Sequence, residues 1–186
     1  MRKQLSCGID EAGRGPIAGP VTAAAVILAP DFPTEILDDS KALSPARRES
    51  AASIIKERAI AWGIGWASHA EIDGVNIHRA TLLAMERAVA ALSVRPADLL
   101  VDGLFCPSCG IPCRAIVKGD ATVPSIMAAS ILAKTARDAW MVEYSRQEPA
   151  YLFGKHKGYP TAEHRAIVLR RGPSRIQRLT FRVSSS

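Results

Sequence analysis

Residues 20–28 read Pro-Val-Thr-Ala-Ala-Ala-Val-Ile-Leu and are apolar almost throughout. A strand with one face in solvent alternates polar and apolar residues, whereas a strand covered on both faces carries a continuous apolar run. The segment therefore predicts a central strand of a sheet with helices on both sides. This restricts the chain to layered folds.

Four further segments resemble strands, and four resemble helices. The predicted strands are 5–10, 20–28, 59–68, 99–102 and 114–118. The predicted helices are 45–58 after Ser44-Pro45, a helix capped by Asn76, about 124–144, and 161–170 before Gly172-Pro173. The order β-β-α-β-α-β-β-α-α predicts an α/β fold with a mixed sheet flanked by helices, although the strand order does not follow from it.

The chain has 186 residues, which predicts a single domain over 1–186. Its net charge of +6 is unevenly placed, because residues 151–186 contain eight Lys/Arg and one acid. We expect the portion from about 145 to 186 to be a basic, helical C-terminal part. Such a surface attracts phosphate backbones, although a solvated basic face fits equally well.

The chain shows no membrane or export signal by composition. No run approaches the roughly 20 apolar residues that a membrane span needs, and the charged start Met1-Arg2-Lys3 is not followed by an apolar stretch. These features predict a cytoplasmic protein without a membrane partner.

Four carboxylates lie at or near the ends of apolar strands: Asp10, Glu11, Asp102 and Asp120. Acids at such positions are usually paired or coordinate a ligand, and strand ends form the binding crevice of open α/β sheets. Two divalent cations would offset the mutual repulsion, and oxygen donors select Mg²⁺ or Mn²⁺. Adjacent strand residues point to opposite faces, so we expect the strand to twist or end at Glu11.

The next segment, from Gly13 to Pro20, places glycines around Arg14. Without Cβ atoms, Gly13 and Gly15 allow a sugar or phosphate to approach the backbone. The spacing matches neither the dinucleotide fingerprint nor the phosphate-binding P-loop, and a tight structural turn is the alternative.

A joint pattern of motifs resembles the ribonuclease HII family. Its opening motif is Gly-Ile-Asp-Glu-Ala-Gly-Arg-Gly-Pro at 8–16, followed by Gly19-Pro20-Val21. The similarity continues in family order over about nine-tenths of the chain: Asp39-Ser40-Lys41, Val101-Asp102-Gly103, Lys118-Gly119-Asp120-Ala121, Ala128 to Lys134, Arg137-Asp138, His156 to Thr161, and His164.

The resemblance implies a ribonuclease H-like fold with a mixed five-stranded sheet and a helical C-terminal extension. It implies that Asp10, Glu11, Asp102 and Asp120 bind two Mg²⁺ or Mn²⁺ ions. The Gly13-Arg14-Gly15 loop would read a ribose 2′-hydroxyl, and Tyr159 would pack on the sugar after the scissile phosphate. Asp138 would form a local ion pair or hydrogen bond.

The implied activity is an endonuclease that hydrolyses the RNA strand of RNA–DNA hybrids and cuts 5′ of single ribonucleotides in duplex DNA. Two-metal-ion catalysis would leave 3′-hydroxyl and 5′-phosphate ends. The expected partners are these nucleic acids, and we expect a monomer. Two alternatives are another nuclease on the same sheet and a non-catalytic nucleic-acid-binding module.

Several basic residues are candidates for phosphate contacts. These are Lys41 and the group Lys155, His156 and Lys157, for which a basic solvated turn is the alternative. His156 could instead be a general acid. Arg14 could pair with Glu11 or with phosphate.

The chain departs from the family pattern in two places. Cys106, Cys109 and Cys113 lie between Asp102 and Asp120; we expect a surface loop with reduced thiols, and a reversible disulfide is the alternative. Cys106 and Cys109 have the C-x-x-C spacing of a zinc site, and Cys7 could supply a fourth ligand only if the fold brought it close. Gln177 stands where the family usually has a histidine, and the tail after Phe181 is short, which leaves substrate binding and C-terminal packing open.

Overall fold

The computed structural model describes residues 5–37 and 43–184. Its sheet contains five strands in the order β3-β2-β1-β4-β5. Strand β1 is antiparallel to β2 and parallel to β4, so the sheet is mixed, as predicted. The strands are β1 Ser6–Ala12, β2 Val21–Ile27, β3 Ala61–Ala67, β4 Asp98–Asp102 and β5 Cys113–Ile116.

Helices cover both faces of this sheet. They are α1 Pro45–Arg58, α2 His69–Ala90, α3 Pro124–Tyr144, α4 Phe153–His156 and α5 Ala162–Arg171. The predicted cap at Ser44 is confirmed, because its side chain accepts a hydrogen bond from the third residue of α1. Thr161, predicted as the first residue of the last helix, instead caps α5 in the same way. No helix in the described ranges is long and apolar enough to cross a membrane.

Helix α2 begins earlier than predicted. Ser68 and Glu71 form a reciprocal capping box that starts it. Asn76 then interrupts the helix with a φ of 69°, and its side chain accepts from the Arg79 N–H at 3.1 Å. The predicted Asn76 cap therefore exists, but it starts only the second segment of α2.

Small residues let the helices approach the sheet closely. A Cβ on Gly8 of β1 would lie 2.1 Å from the Ser125 carbonyl carbon at the start of α3. Strand β2 is buried along its whole length, as its apolar run predicts. The close contact of β1 with α3 brings the carboxylate-bearing end of β1 beside the first turns of α3.

The C-terminal segment closes over the glycine-rich loop. The Gly19 N–H donates to Ile176 O, and the Arg178 N–H donates to Ile17 O, each at 2.9 Å. Gln177, the residue that departs from the family pattern, is buried and donates to Ile17 O from Nε2 at 2.9 Å. The C-terminal packing therefore pairs the Gln177 amide nitrogen, whereas its buried Oε1 has no hydrogen-bond partner among the described residues.

Candidate active site

Asp10 and Asp102 lie side by side on adjacent parallel strands. Ile9 of β1 pairs with Val101 of β4, and each aspartate is the next residue of its strand. Ile9 and Val101 belong to the core on the α2 side, so the alternation of strands turns both aspartates toward α3. Strand β1 continues to pair with β2 through Ala12, so it does not end at Glu11.

Glu11 and Asp120 approach this pair from other directions. Consecutive residues of a regular strand start on opposite faces, but the Glu11 carboxyl group still reaches the Asp10 side chain and lies close enough to Asp102 to be repelled by it. Asp120 lies in a 3₁₀ turn, Gly119–Ala121, between β5 and α3. Its N–H donates to Asp102 Oδ1 at 3.2 Å. The four acids therefore gather at one end of β1, β4 and β5.

Burial and mutual repulsion disfavour ionisation at this end of the sheet. Asp10 is 5% exposed, and burial, followed by the neighbouring Glu11, raises its pKa well above the usual value. Hydrogen bonds from Ser130 and from the Glu11 N–H, the latter at 2.7 Å, act against this rise. Burial also raises the pKa of Glu11, and Arg14 opposes that rise from 3.5 Å.

The donor set fits divalent cations of the Mg²⁺ class. All four side chains offer only carboxylate oxygens, which hard cations prefer, and a bound cation would supply the positive charge that buried Asp10 lacks. Among the described residues, no three His, Cys, Asp or Glu side chains already form a converged metal cluster.

A buried arginine of α3 explains the glycine at position 13. Arg137 is fully buried and donates to the carbonyls of Pro20, Lys157 and Ala18 at 2.9, 3.0 and 3.2 Å. Gly13 has a φ of 97°, and a Cβ there would lie 2.0 Å from Arg137 Nε. Only glycine satisfies both the backbone conformation and the space.

A second fully buried arginine, Arg178, holds the same loop from the other side. Its guanidinium donates five hydrogen bonds of 2.6–3.1 Å to five loop carbonyls. The acceptors are Gly13, Arg14, Pro16, Gly19 and Pro20. Arg137 and Arg178 thus fix the glycine loop next to the carboxylates.

Neither arginine received a role from the sequence. Arg137 carried a usable signal, since it continues the buried helical stripe of Ser130, Ala133 and Met141 on α3, where an arginine must find partners. Arg178 carried no such signal, because its acceptors lie more than 150 positions away in the chain.

A cleft of about 460 Å³ lies beside the loop. Glu11, Arg14, Gly15 and Tyr159 are among the residues that line it. The Tyr159 ring is 38% exposed, and Lys134 Nζ lies 5.5 Å from its centroid. Lys134 also pairs with Asp138 at 2.9 Å, the local ion pair expected of Asp138.

The residues predicted to contact phosphate differ in their surroundings. Lys41 lies outside the described residues. Lys155 pairs with Glu163 at 2.8 Å, and the Lys157 ammonium donates to the Gly154 carbonyl. Arg14, which is half-exposed, pairs with Glu11.

His156 does not face the cleft. Its ring is buried, Nδ1 accepts from the Gly158 N–H at 3.2 Å, and Nε2 donates to Tyr151 O at 2.8 Å. With both ring nitrogens occupied by backbone groups, His156 holds the turn before Tyr159. This geometry favours neither a phosphate contact nor a general-acid role.

The stacked pair His156 and His164 makes stability depend on pH. Burial lowers the pKa of both rings, and their centroids lie 4.1 Å apart. The folded state therefore binds fewer protons than the unfolded chain below about pH 6.5, and stability falls as pH drops from there through the folded pKa values. Urea unfolding at pH 7.5 and 5.5 should show this loss, and His156→Gln should reduce it. An equal loss in the variant would contradict the assignment.

The cysteine loop differs from the main expectation. Cys106 and Cys113 form a disulfide, so the expectation of reduced thiols throughout was wrong for these two. The loop returns to β5 in a way that brings its two ends together. Cys109 and buried Cys7 remain free, and burial raises the pKa of Cys7 to about 12, which disfavours it as a metal ligand.

Comparison with known proteins gives a consistent result. Residues 7–184 match the family model described as Ribonuclease HII. The chain is 56% identical to a Ribonuclease HII of Dechloromonas aromatica, over 95% of this chain and 90% of that protein. It is 58% identical to a Ribonuclease HII of Laribacter hongkongensis, over 94% of this chain and 89% of that protein.

Solved structures agree on the fold. A ribonuclease HII in a complex with PCNA from Archaeoglobus fulgidus has a TM-score of 0.78 at 23% identity, covering 98% of this chain and 97% of that one. The ribonuclease H2 of Pyrococcus horikoshii has a TM-score of 0.76 at 23% identity, covering 96% and 94%. The described sheet and helices therefore form a ribonuclease H-like fold.

Proposed function

The chain belongs to the ribonuclease HII family, and we propose that it cuts 5′ of single ribonucleotides in duplex DNA by using two divalent cations. As a member of this family it is a metal-dependent endoribonuclease that acts on the RNA strand of RNA–DNA hybrids. The finer proposal rests on one observation: Glu11, one of the four gathered carboxylates, lines the same cleft as the arginine-clamped glycine loop.

The proposed metal ligands are Asp10, Glu11, Asp102 and Asp120. Bound Mg²⁺ or Mn²⁺ would supply activation of water and stabilisation of charge on the scissile phosphate and the departing 3′-oxygen. The residues themselves supply rigid placement: Asp10 is fixed by Ser130 and by the Glu11 amide, and Asp102 is fixed by the Asp120 amide. The products would carry 3′-hydroxyl and 5′-phosphate ends. All four proposed ligands come from one chain, so the proposed centre needs no second subunit, and we retain the expectation of a monomer.

The glycine loop would recognise the ribose. Arg178 occupies the carbonyls of Gly13 and Arg14. The Ile17 and Gly19 N–H groups already donate to Gly158 O and Ile176 O. The amides at positions 13–15 would therefore be the donors toward a 2′-hydroxyl oxygen. The absence of a Cβ at Gly15, whose Cβ position would lie 3.9 Å from the Tyr159 ring, would let a sugar reach them. Because two buried arginines hold the loop, the donors would already be oriented when the substrate arrives.

Tyr159 would test the shape of the next sugar. A ring beside Gly15 packs more closely on deoxyribose than on a sugar with a 2′-hydroxyl. We expect Tyr159→Ala to lower kcat/KM at a single embedded ribonucleotide by about 10- to 100-fold, roughly the loss of one ring contact, and to affect long hybrids less. Parallel kinetics on both substrates check this, with Tyr159→Phe as the control that keeps the ring. Equal losses of kcat/KM on both substrates would contradict this role of Tyr159.

Lys41 and Lys157 remain proposed phosphate contacts, whereas His156 is dropped because its ring faces inward. A phosphate contact that carries no sequence information should weaken binding evenly across substrates and reduce its salt dependence. Lys157→Gln should show both effects if its ammonium turns from Gly154 O to the substrate.

The direct test uses an end-labelled DNA duplex with one internal ribonucleotide. With Mg²⁺ or Mn²⁺ we expect one cut on the 5′ side of the ribonucleotide and no cut in an all-DNA duplex. Cleavage of long hybrids alone would retain the family activity and reject the single-ribonucleotide proposal. Salt-sensitive binding with no cleavage of any substrate would favour a non-catalytic module.

A further inference from the structure

The cleft continues past the carboxylates to a second, smaller depression. This depression has a volume of about 70 Å³ and shares Glu11 and Arg14 with the main cleft. Its far side is formed by Leu104 and Phe105. One groove therefore leads from Tyr159, across Glu11 and Arg14, to Phe105.

Leu104 and Phe105 expose apolar surface close to a proposed metal ligand. They follow Asp102 by two and three residues, and their side chains are 72% and 58% exposed. The Phe105 ring meets the His78 ring of α2 edge-on, with centroids 4.5 Å apart. One side of the phenyl ring is thus supported by α2, and more than half of the residue is open to solvent.

The loop that carries Phe105 is anchored at several points. The Cys106–Cys113 disulfide begins at the next residue. The Ser108 N–H donates to Glu86 Oε1 at 3.1 Å, and Arg95 Nη2 donates to Gly110 O at 3.2 Å. These contacts tie the loop to the end of α2 and to the segment before β4. A ring held in this way can contact a ligand with little loss of conformational entropy.

We propose that Phe105 is a substrate-contacting residue that packs on the nucleotide on the 5′ side of the cut, opposite Tyr159 on the 3′ side. This inference rests on the proposed function, because it takes the scissile phosphate to lie near Glu11. A flat apolar ring recognises the face of a base or a deoxyribose. Half-exposed Arg14 between the two rings supplies positive charge for the connecting phosphate.

A nucleic-acid strand fits this surface better than a protein partner does. The exposed apolar area consists of only two side chains and is continuous with the cleft. The adjacent depression, about 70 Å³, is too small to hold several side chains of a bound peptide. A strand that enters at Tyr159 and crosses the carboxylates must leave along Leu104 and Phe105. The same surface would therefore be covered whenever substrate is bound.

The test compares Phe105→Ala with the unmodified chain on a duplex that carries one ribonucleotide and long flanks. We expect KM to rise about tenfold, the scale of one lost ring–base contact, with kcat within about twofold because the contact is made before and during reaction. Phe105→Trp should keep KM near the original value. Trp62→Ala is the matched control, because Trp62 is an exposed aromatic of β3 that pairs with Val26, at the opposite end of the sheet.

Replacing the nucleotide on the 5′ side of the cut distinguishes a direct contact from a general loss of activity. When this nucleotide is a propyl spacer, which keeps the scissile phosphodiester but has neither base nor sugar ring, the unmodified chain and Phe105→Ala should have the same KM. A difference that persists on the spacer duplex, or no difference on the original one, would overturn the inference. If the unmodified chain cuts neither substrate, the proposed function fails. In that case the Kd of Phe105→Ala for an all-DNA duplex tests the Phe105 contact separately. A Kd equal to that of the unmodified chain would reject the contact, and a higher Kd would support it.

Discussion

Asp10→Asn is expected to reduce cleavage by at least about 10³-fold, the scale of losing one electrostatically essential group at a reacting phosphate, while stabilising the metal-free protein. Activity falls because the amide removes one negative charge and one anionic oxygen donor from the proposed metal site. Stability rises because Asp10 is almost fully buried and lies beside Glu11. Metal-dependent kinetics and thermal unfolding in a chelator measure the two effects.

The sign of the stability change follows from the raised pKa of Asp10. The folded state holds this proton more tightly than the unfolded chain, so the wild-type protein loses stability as pH rises from about 4 through the folded pKa. Asn has no proton to lose, so the stability that Asp10→Asn gains over the unmodified chain should appear above that pKa and vanish below about pH 4. Asp31→Asn is the control, since the Asp31 side chain is 81% exposed. If Asp10→Asn kept activity within tenfold of the unmodified chain, Asp10 would not be a ligand of the proposed metal centre.

Arg178→Ala is expected to have the largest effect on folding, with a loss of about 3–5 kcal/mol in the free energy of unfolding. The substitution removes the Arg178 donor from five carbonyls of the glycine loop. Among the described residues, only the Pro20 carbonyl keeps a second donor, Arg137 Nε at 2.9 Å. It also removes a side chain that packs over the Phe181 ring at 5.1 Å. Urea unfolding monitored by circular dichroism gives the magnitude.

Arg178→Lys separates charge from geometry. A lysine keeps the positive charge but its single nitrogen cannot span five acceptors, so we expect most of the loss to remain. Arg171→Ala is the control, because Arg171 lies exposed at the end of α5. A Lys variant as stable as the unmodified chain would show that charge, rather than the hydrogen-bonded fork, holds the loop.

The sheet and the acids were predictable because both depend on local patterns. The apolar run of β2 and the carboxylates after apolar strands identified the crevice, and the family resemblance extended this to the fold. The pairing of strands could not be predicted as well from the sequence. Strand β1 continues past Glu11 because β2 supplies hydrogen-bonding partners up to Thr22, and these partners lie beyond the glycine loop.

The supporting interactions could not be predicted, because they join residues distant in sequence. Arg178 meets carbonyls in the first twenty residues, and no spacing rule relates them. His156 resembled a surface residue in a basic turn, yet stacking on His164 takes its ring inward. The pairing of Cys106 with Cys113, rather than with Cys109 in the C-x-x-C half, depends on how the loop returns to β5.

The most direct test of the metal centre counts Mn²⁺ ions bound to the protein. Electron paramagnetic resonance of free Mn²⁺ can be recorded during titration of the unmodified chain on an all-DNA duplex, and of the variants Asp10→Asn, Glu11→Gln, Asp102→Asn and Asp120→Asn. We expect two bound ions per chain in the unmodified protein and at least one fewer, or a weakening of at least about tenfold, in each variant. Mn²⁺ binding unchanged in all four variants would contradict the proposal that these carboxylates form one metal centre.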